Sequence, residues 1–92
     1  MIYEWDAKKA KTNLRKHGVS FEDAATVFLD PLALTFPDPD HSVYEEREIT
    51  IGRTRENLLV FVSHCPRGNR VRIITARKAT RSEWRQYEKG IN

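Results

Sequence analysis

A single cysteine, Cys65, stands in a chain of 92 residues. No internal disulfide is possible, so nothing ties the chain to an oxidising compartment. No apolar run approaches the roughly 20 residues of a membrane-spanning helix, and no signal peptide opens the sequence. A cytoplasmic protein is the expectation. Repeats, low-complexity segments and internal linkers are missing too, so residues 1–92 read as one domain.

Metal chemistry fails on spacing. His17, His41, His64 and Cys65 form no CxxC or HxxxH pair. Asp38-x-Asp40-x-Ser42 starts like a calcium loop, but Val43 stands where that loop needs Gly and Ile49 where it needs a bidentate Glu. The nucleophile elbow, the P-loop and the dinucleotide fingerprint are absent. Most small-molecule enzyme classes drop out, and neither a metal nor a cofactor is expected. Cys65, after an apolar strand, reads as a buried thiol.

What the chain does have is cations, unevenly placed. The net charge of +3 conceals three blocks. Residues 1–20 carry five cations against two anions, residues 21–50 one against eight, and residues 51–92 ten against three. The last block is rich in Arg, whose planar fork suits phosphate better than the point charge of Lys. A basic second half interspersed with aromatics points to nucleic acid, although any protein of high pI carries a solvated basic surface.

Periodicity divides the chain in two. Ile2–Trp5 is a short strand candidate, and Asp6 caps a helix to about Lys16 with Ala7, Ala10 and Leu14 as its buried face. Gly18 ends it. A second helix follows Ser20, presents Phe21, Ala24, Ala25 and Phe28, and stops before Pro31. From there the period is two. Strands are expected at Leu32–Phe36, Arg47–Arg53, Leu58–His64 and Arg70–Lys78, with short connectors at Thr54–Asn57 and Pro66–Asn69 that suit hairpins. Thr80-x-x-Glu83 is a capping box opening a last helix that ends at Gly90. The expected fold is α+β: an antiparallel meander of about four strands, packed on two N-terminal helices, with a short C-terminal helix.

The strand Arg70–Lys78 organises the basic half. Strict alternation puts Val71, Ile73 and Thr75 on one face and Arg72, Ile74 and Ala76 on the other. Arg77 and Lys78 close the strand, held by regular structure on both sides. RNA cleavage without a metal asks for little more, because the 2′-hydroxyl of the substrate is the nucleophile. The protein supplies a base, an acid and cations for the charge growing on phosphate. His17 and His64 are the candidate proton carriers, since imidazole titrates near neutral pH. Arg53 and Arg77 are the candidate catalytic cations, and Lys16, Arg47, Arg72 and Lys78 the candidate RNA-binding ones. Each has a plainer reading: His64 can be a strand-end histidine bonded to backbone, and Arg47 can merely pair with Glu45 or a neighbour.

Several blocks resemble a known family. Glu4-Trp5-Asp6, Asn13, the corner Lys16-His17-Gly18-Val19-Ser20-Phe21, Ala24, Val27-Phe28 and Asp30-Pro31 are similar to the first half of the BrnT toxins. Ile51-Gly52-Arg53, Arg72–Ala79 and Glu83…Tyr87 are similar to the second half, with Thr75 where Ser is commoner. The resemblance implies a RelE-like ribonuclease toxin of a type II toxin–antitoxin pair that stops translation by cleaving RNA, with action at the ribosome and on free RNA both open. It implies as partner a BrnA-like antitoxin with a ribbon-helix-helix domain, forming a heteromeric complex that binds operator DNA through the antitoxin and represses its own operon. The competing reading is a non-catalytic nucleic-acid-binding or protein-interaction module.

Overall fold

The period-two stretches pair into one sheet of five strands in the order β1-β5-β4-β3-β2. The strands are β1 (Ile2–Glu4), β2 (Leu34–Pro37), β3 (Glu48–Arg53), β4 (Leu59–Arg67) and β5 (Arg70–Lys78). The helices are α1 (Ala7–His17), α2 (Phe21–Ala25), continued by a 3-10 turn at Thr26–Leu29, and α3 (Arg81–Lys89). The computed structural model describes residues 2–40 and 46–90; His41, Ser42, Val43 and Glu45, weighed above for metal binding and ion pairing, lie outside the described residues.

The meander β2-β3-β4-β5 is antiparallel as expected, and the apolar strand β4 is central. The expectation of a wholly antiparallel sheet of about four strands is corrected by β1, which adds a fifth strand parallel to β5. It pairs Ile2–Glu4 with Arg70–Arg72, and the Glu4 carboxylate then takes Arg72 at 3.0 Å and Arg70 at 3.5 Å. Beyond Arg72, no strand of the described residues lies beside the outer edge of β5. Asn13 of α1 stands there instead: its amide donates to the Ala76 carbonyl (2.7 Å), and its carbonyl accepts from the Ala76 N–H (3.1 Å). The same amide also reaches the Val19 carbonyl at 3.0 Å. One side chain thus satisfies an edge that would otherwise leave backbone groups unpaired.

This docking corrects the expected buried face of α1. Ala7 is exposed, Leu14 is 51% exposed, and Ala10 is half-buried, while Asn13 is buried. The helix is seated by hydrogen bonds to the β5 edge rather than by an apolar stripe. Its ends follow the sequence: Asp6 accepts from the N–H groups of Lys8 and Lys9, and Gly18 takes the left-handed conformation (φ 71°) that a side chain would strain.

Two cores flank the sheet. Val19, Phe21, Ala24 and Val27 pack on Val60, Val62, Ile73 and Ala76, so α1 and α2 cover one face. On the other, α3 lays Tyr87 and Trp84 against Ile49, Ile51, Leu59 and Phe61. Side chains as fully buried as Phe21 and Ile51 contribute about 1.5–3 kcal/mol each. The second helix is shorter than its apolar spacing suggests, tightening into the 3-10 turn over Gly52. A Cβ there would meet Val27 Cβ at 3.3 Å and Ala33 Cβ at 3.0 Å, so the missing side chain lets the turn approach β3.

Candidate nucleic-acid interface

An irregularity in β5 decides which side chains share a face. The β4–β5 register passes from Ser63↔Thr75 to His64↔Ile73, so Ile74 is an extra residue, a β-bulge. Alternation is reset there. Ile73 and Ala76 both enter the core under α1 and α2, and Thr75 passes to the α3 face, reversing the expected placement of Thr75 and Ala76. Arg72 and Arg77, five positions apart, would point oppositely on a regular strand. Across the bulge they emerge on the same face. The bulge is thus the device that gathers cations.

Arg47, Arg53, Arg72 and Arg77 all lie on that α3 face. Arg53 stands over the rings of Trp84 (4.9 Å) and Tyr87 (5.7 Å). Arg72 is held by Glu4. Arg77 lies flat over Phe61 at 3.9 Å, and both prongs of its fork are taken by Glu83 at 2.8 and 2.9 Å. Glu83 is the same residue that closes the capping box of α3 with Thr80. Burial disfavours its carboxylate, but the Arg77 guanidinium and the Thr80 N–H outweigh that and hold its pKa below the ordinary value.

Arg47 lines a cleft of about 460 Å³ on this face, together with Asp38, Asp40, Phe61, Ser63, Ile74 and Thr75. A second cleft, of about 340 Å³, is lined by Lys8, Lys9, Thr12, Lys16 and His17 of α1, and again by Ile74 and Thr75. Ile74 and Thr75 line both clefts, which therefore flank the bulge: Lys16 and His17 line the one on the α1 side, and Arg47 the one on the sheet face.

Two expected members are elsewhere. Lys78 pairs in register with Val60, whose side chain is in the α1–α2 core, so it leaves the strand on the opposite face, exposed. His64 is also on that face and is only 4% exposed. Its Nε2 lies 2.8 Å from Thr50 Oγ1, which lies 2.8 Å from Thr35 Oγ1, and its ring meets Phe28 edge to face. Burial pushes its pKa down to about 4, keeping the ring neutral. It braces three strands under the helices, a structural role as in the plainer reading, but through the Thr50 side chain rather than the backbone.

Sequence reasoning missed Asp38, Asp40, Ser63 and Thr75 as cleft residues, and Glu83 as the partner of Arg77. Thr75 was hidden by the bulge, and Asp38 and Asp40 were weighed as a calcium loop and not as partners of the basic strand. Asp30 was missed as well. It accepts from the Arg53 N–H (2.8 Å) and the Tyr87 hydroxyl (2.7 Å), fixing the end of β3 to α3. Burial and this bond raise the Tyr87 pKa, so the phenol stays protonated and donating.

No helix of the described residues is long and apolar enough to cross a membrane. No curated protein sequence matches the chain. The crystal structure of the Brucella abortus ribonuclease toxin BrnT superposes with a TM-score of 0.68 at 26% identity, covering 88% of this chain and 100% of that one. A sequence profile described as the ribonuclease toxin BrnT of type II toxin–antitoxin systems matches residues 5–83. The chain belongs to the BrnT family of ribonuclease toxins of type II toxin–antitoxin systems.

Proposed function

We propose that this toxin is a metal-independent endoribonuclease whose reaction runs in the groove at the β5 bulge. The observation that carries the reading is the convergence of Arg47, Lys16 and His17 on Ile74 and Thr75 from two elements. A phosphate over Thr75 lies against cations on both sides, which favours the charge that grows on its oxygens as the 2′-oxygen attacks. The 2′-hydroxyl gives up its proton, the P–O5′ bond breaks, and the 5′-oxygen leaves with a proton. The products are a 2′,3′-cyclic phosphate and a 5′-hydroxyl.

His17, exposed at the groove, is one proton carrier. With His64 buried, the second is the cleft carboxylate of Asp40, the exposed member of the pair whose N–H donates to Asp38 Oδ1 at 3.0 Å. Arg77 acts by position: committed to Glu83 and stacked on Phe61, it fixes α3 and the wall of the cleft. Arg53 does the same through Trp84 and Tyr87. Arg72, tied to Glu4, adds charge to the same face.

The partner we propose is an antitoxin of the BrnA type, with a ribbon-helix-helix domain that binds operator DNA in the complex. Acidic residues on it would cover the cationic groove, so association should weaken as salt screens the charges. The site of action is the cytoplasm, where cleavage stops translation. The test is induction of the chain alone in bacteria together with purified protein on RNA. Growth arrest and cleavage that persists in EDTA are expected. Cleavage that vanishes in EDTA and returns with Mg²⁺ would overturn metal independence, and arrest without RNA cleavage would favour a binding module.

A further inference from the structure

The exposed face of α1 carries a charge pattern that its own folding does not call for. Lys8, Lys9, Lys11, Arg15 and Lys16 are all exposed, and Ala7–His17 contains no acidic residue. At about 100° per residue these five cations occupy one continuous arc of about 160°, shared only with Thr12 and turned away from Asn13 and Ala10. Arg15 and Lys16 suit the negative end of the helix dipole. Lys8 and Lys9, in the first turn, oppose its positive end. Lys8–Lys11 and Lys11–Arg15 are like-charge neighbours at i,i+3 and i,i+4, a spacing that weakens a helix. The cap Asp6 offsets Lys9 alone, and Ala7–His17 holds no carboxylate for the others. Local stability does not account for such a face, whereas a polyanion lying on it does.

The arc also has a direction. Lys8, Lys9 and Lys16 line the α1 side of the groove that meets the sheet-face cleft at Ile74 and Thr75, and Lys11 and Arg15 continue the charge outward from it. We propose that α1 is an RNA-tracking exosite, in which the strand leaving the cleavage cleft over Thr75 lays its phosphates along Lys8, Lys9, Lys11 and Arg15. The inference rests on the ribonuclease reading of the cleft. It adds that long single strands are held at two places and short ones at one. Recognition is by charge along the backbone, so it carries no base sequence.

The test is a full-length variant with Lys8→Gln, Lys9→Gln, Lys11→Gln and Arg15→Gln, which relieves repulsion in the helix and so should melt no lower than the parent. A second variant replaces the three lysines by Arg. Cleavage of a trinucleotide and of a long single-stranded RNA is compared, and affinity for the long strand with non-cleavable 2′-O-methyl sugars is followed against salt. For the Gln variant, the KM for long RNA should rise at least tenfold more than the KM for the trinucleotide, which loses only the contacts of Lys8 and Lys9 at the groove. The salt slope of log affinity should flatten by about 2–3, since each phosphate contact on a single strand contributes about 0.7. The Arg variant should behave like the parent. An unchanged slope and an unchanged long-RNA KM would overturn the exosite, as would equal losses on both RNA lengths. An unchanged slope with weakened antitoxin binding would also overturn it and assign the helix face to the antitoxin. If the parent binds but cleaves neither RNA, the ribonuclease reading of the cleft fails, and the slope still decides the exosite.

Discussion

The guanidinium of Arg77 meets the carboxylate of Glu83 through two parallel hydrogen bonds of 2.8 and 2.9 Å, tying the end of β5 to the first turn of α3. The pair is partly buried, Glu83 at 14% and Arg77 at 35% side-chain exposure, and it shares its carboxylate with the capping box. The arginine read from sequence as a phosphate grip holds, in the folded chain, a carboxylate of the helix that follows it.

Arg77→Lys should therefore act first on stability. It loses one of two charge-assisted bonds and the flat contact with Phe61, a cost of about 1–3 kcal/mol. Glu83→Gln should cost a similar amount, because it also weakens the cap. A double-mutant cycle by denaturant unfolding should give a coupling of about 1 kcal/mol or more. Additive losses would mean that the two side chains act independently.

Asn13→Ala should destabilise by about 2–4 kcal/mol, because it leaves the Ala76 N–H and the Ala76 and Val19 carbonyls short of partners at the β5 edge. Asn13→Asp should be no better, since it sets a carboxylate against two carbonyl oxygens. Urea midpoints for the two variants check this. An Asp variant as stable as the parent would show that the amide bonds are dispensable.

His64 makes stability depend on pH in a definite window. Its folded pKa of about 4 lies below the ordinary 6.5, so the unfolded chain binds a proton that the native ring refuses. The contribution is complete above pH 6.5 and falls as pH drops towards 4, amounting to roughly 3 kcal/mol over the window. Melts of the parent should steepen downward there, and those of His64→Gln should not. Parallel pH profiles would contradict the assignment. The carboxylate of Glu83, with its pKa depressed, adds a separate loss only below the ordinary carboxylate range.

Much of the architecture was legible because it is written in local signals. Asp6, Ser20 and Thr80 each cap the helix their position implied, and Gly18 ends α1. The long-range features were not. The parallel seat of β1 beside β5 depends on an edge that exists only once the meander has formed. Asn13 stood out only among the residues that carry the family resemblance; its value as an edge partner appears only with Ala76 beside it. The bulge at Ile74 was hidden because alternation cannot mark where it breaks, and the facing of Thr75 and Ala76 was misjudged with it. For the candidate site, Arg47 on one side and Lys16 and His17 on the other line clefts that share Ile74 and Thr75, but His64 and Lys78 leave on the other face. His64 was a candidate proton carrier because imidazole titrates near neutral pH, while packing against Phe28 and Thr50 governs this one.

Gly52→Ala should cost about 1–3 kcal/mol by overpacking, since its Cβ would press on Ala33 and Val27 where the 3-10 turn approaches β3. Thermal melts of this variant, with RNA cleavage measured well below the transition, separate fold from function. Cleavage per folded molecule should be retained.

The most direct measurement is single-turnover RNA cleavage in EDTA by the parent, Arg47→Ala, His17→Ala and Arg81→Ala, each verified by its melt. Arg81 is exposed at the start of α3 and serves as the control. We expect the parent to leave 2′,3′-cyclic phosphate ends. Arg47→Ala and His17→Ala should each be slower by about two to three orders of magnitude, the usual loss when a preorganised contact to the transition state is removed. Arg81→Ala should cleave like the parent. Folded Arg47→Ala and His17→Ala proteins that cleave at the parental rate would contradict a reaction centred on the groove at the β5 bulge.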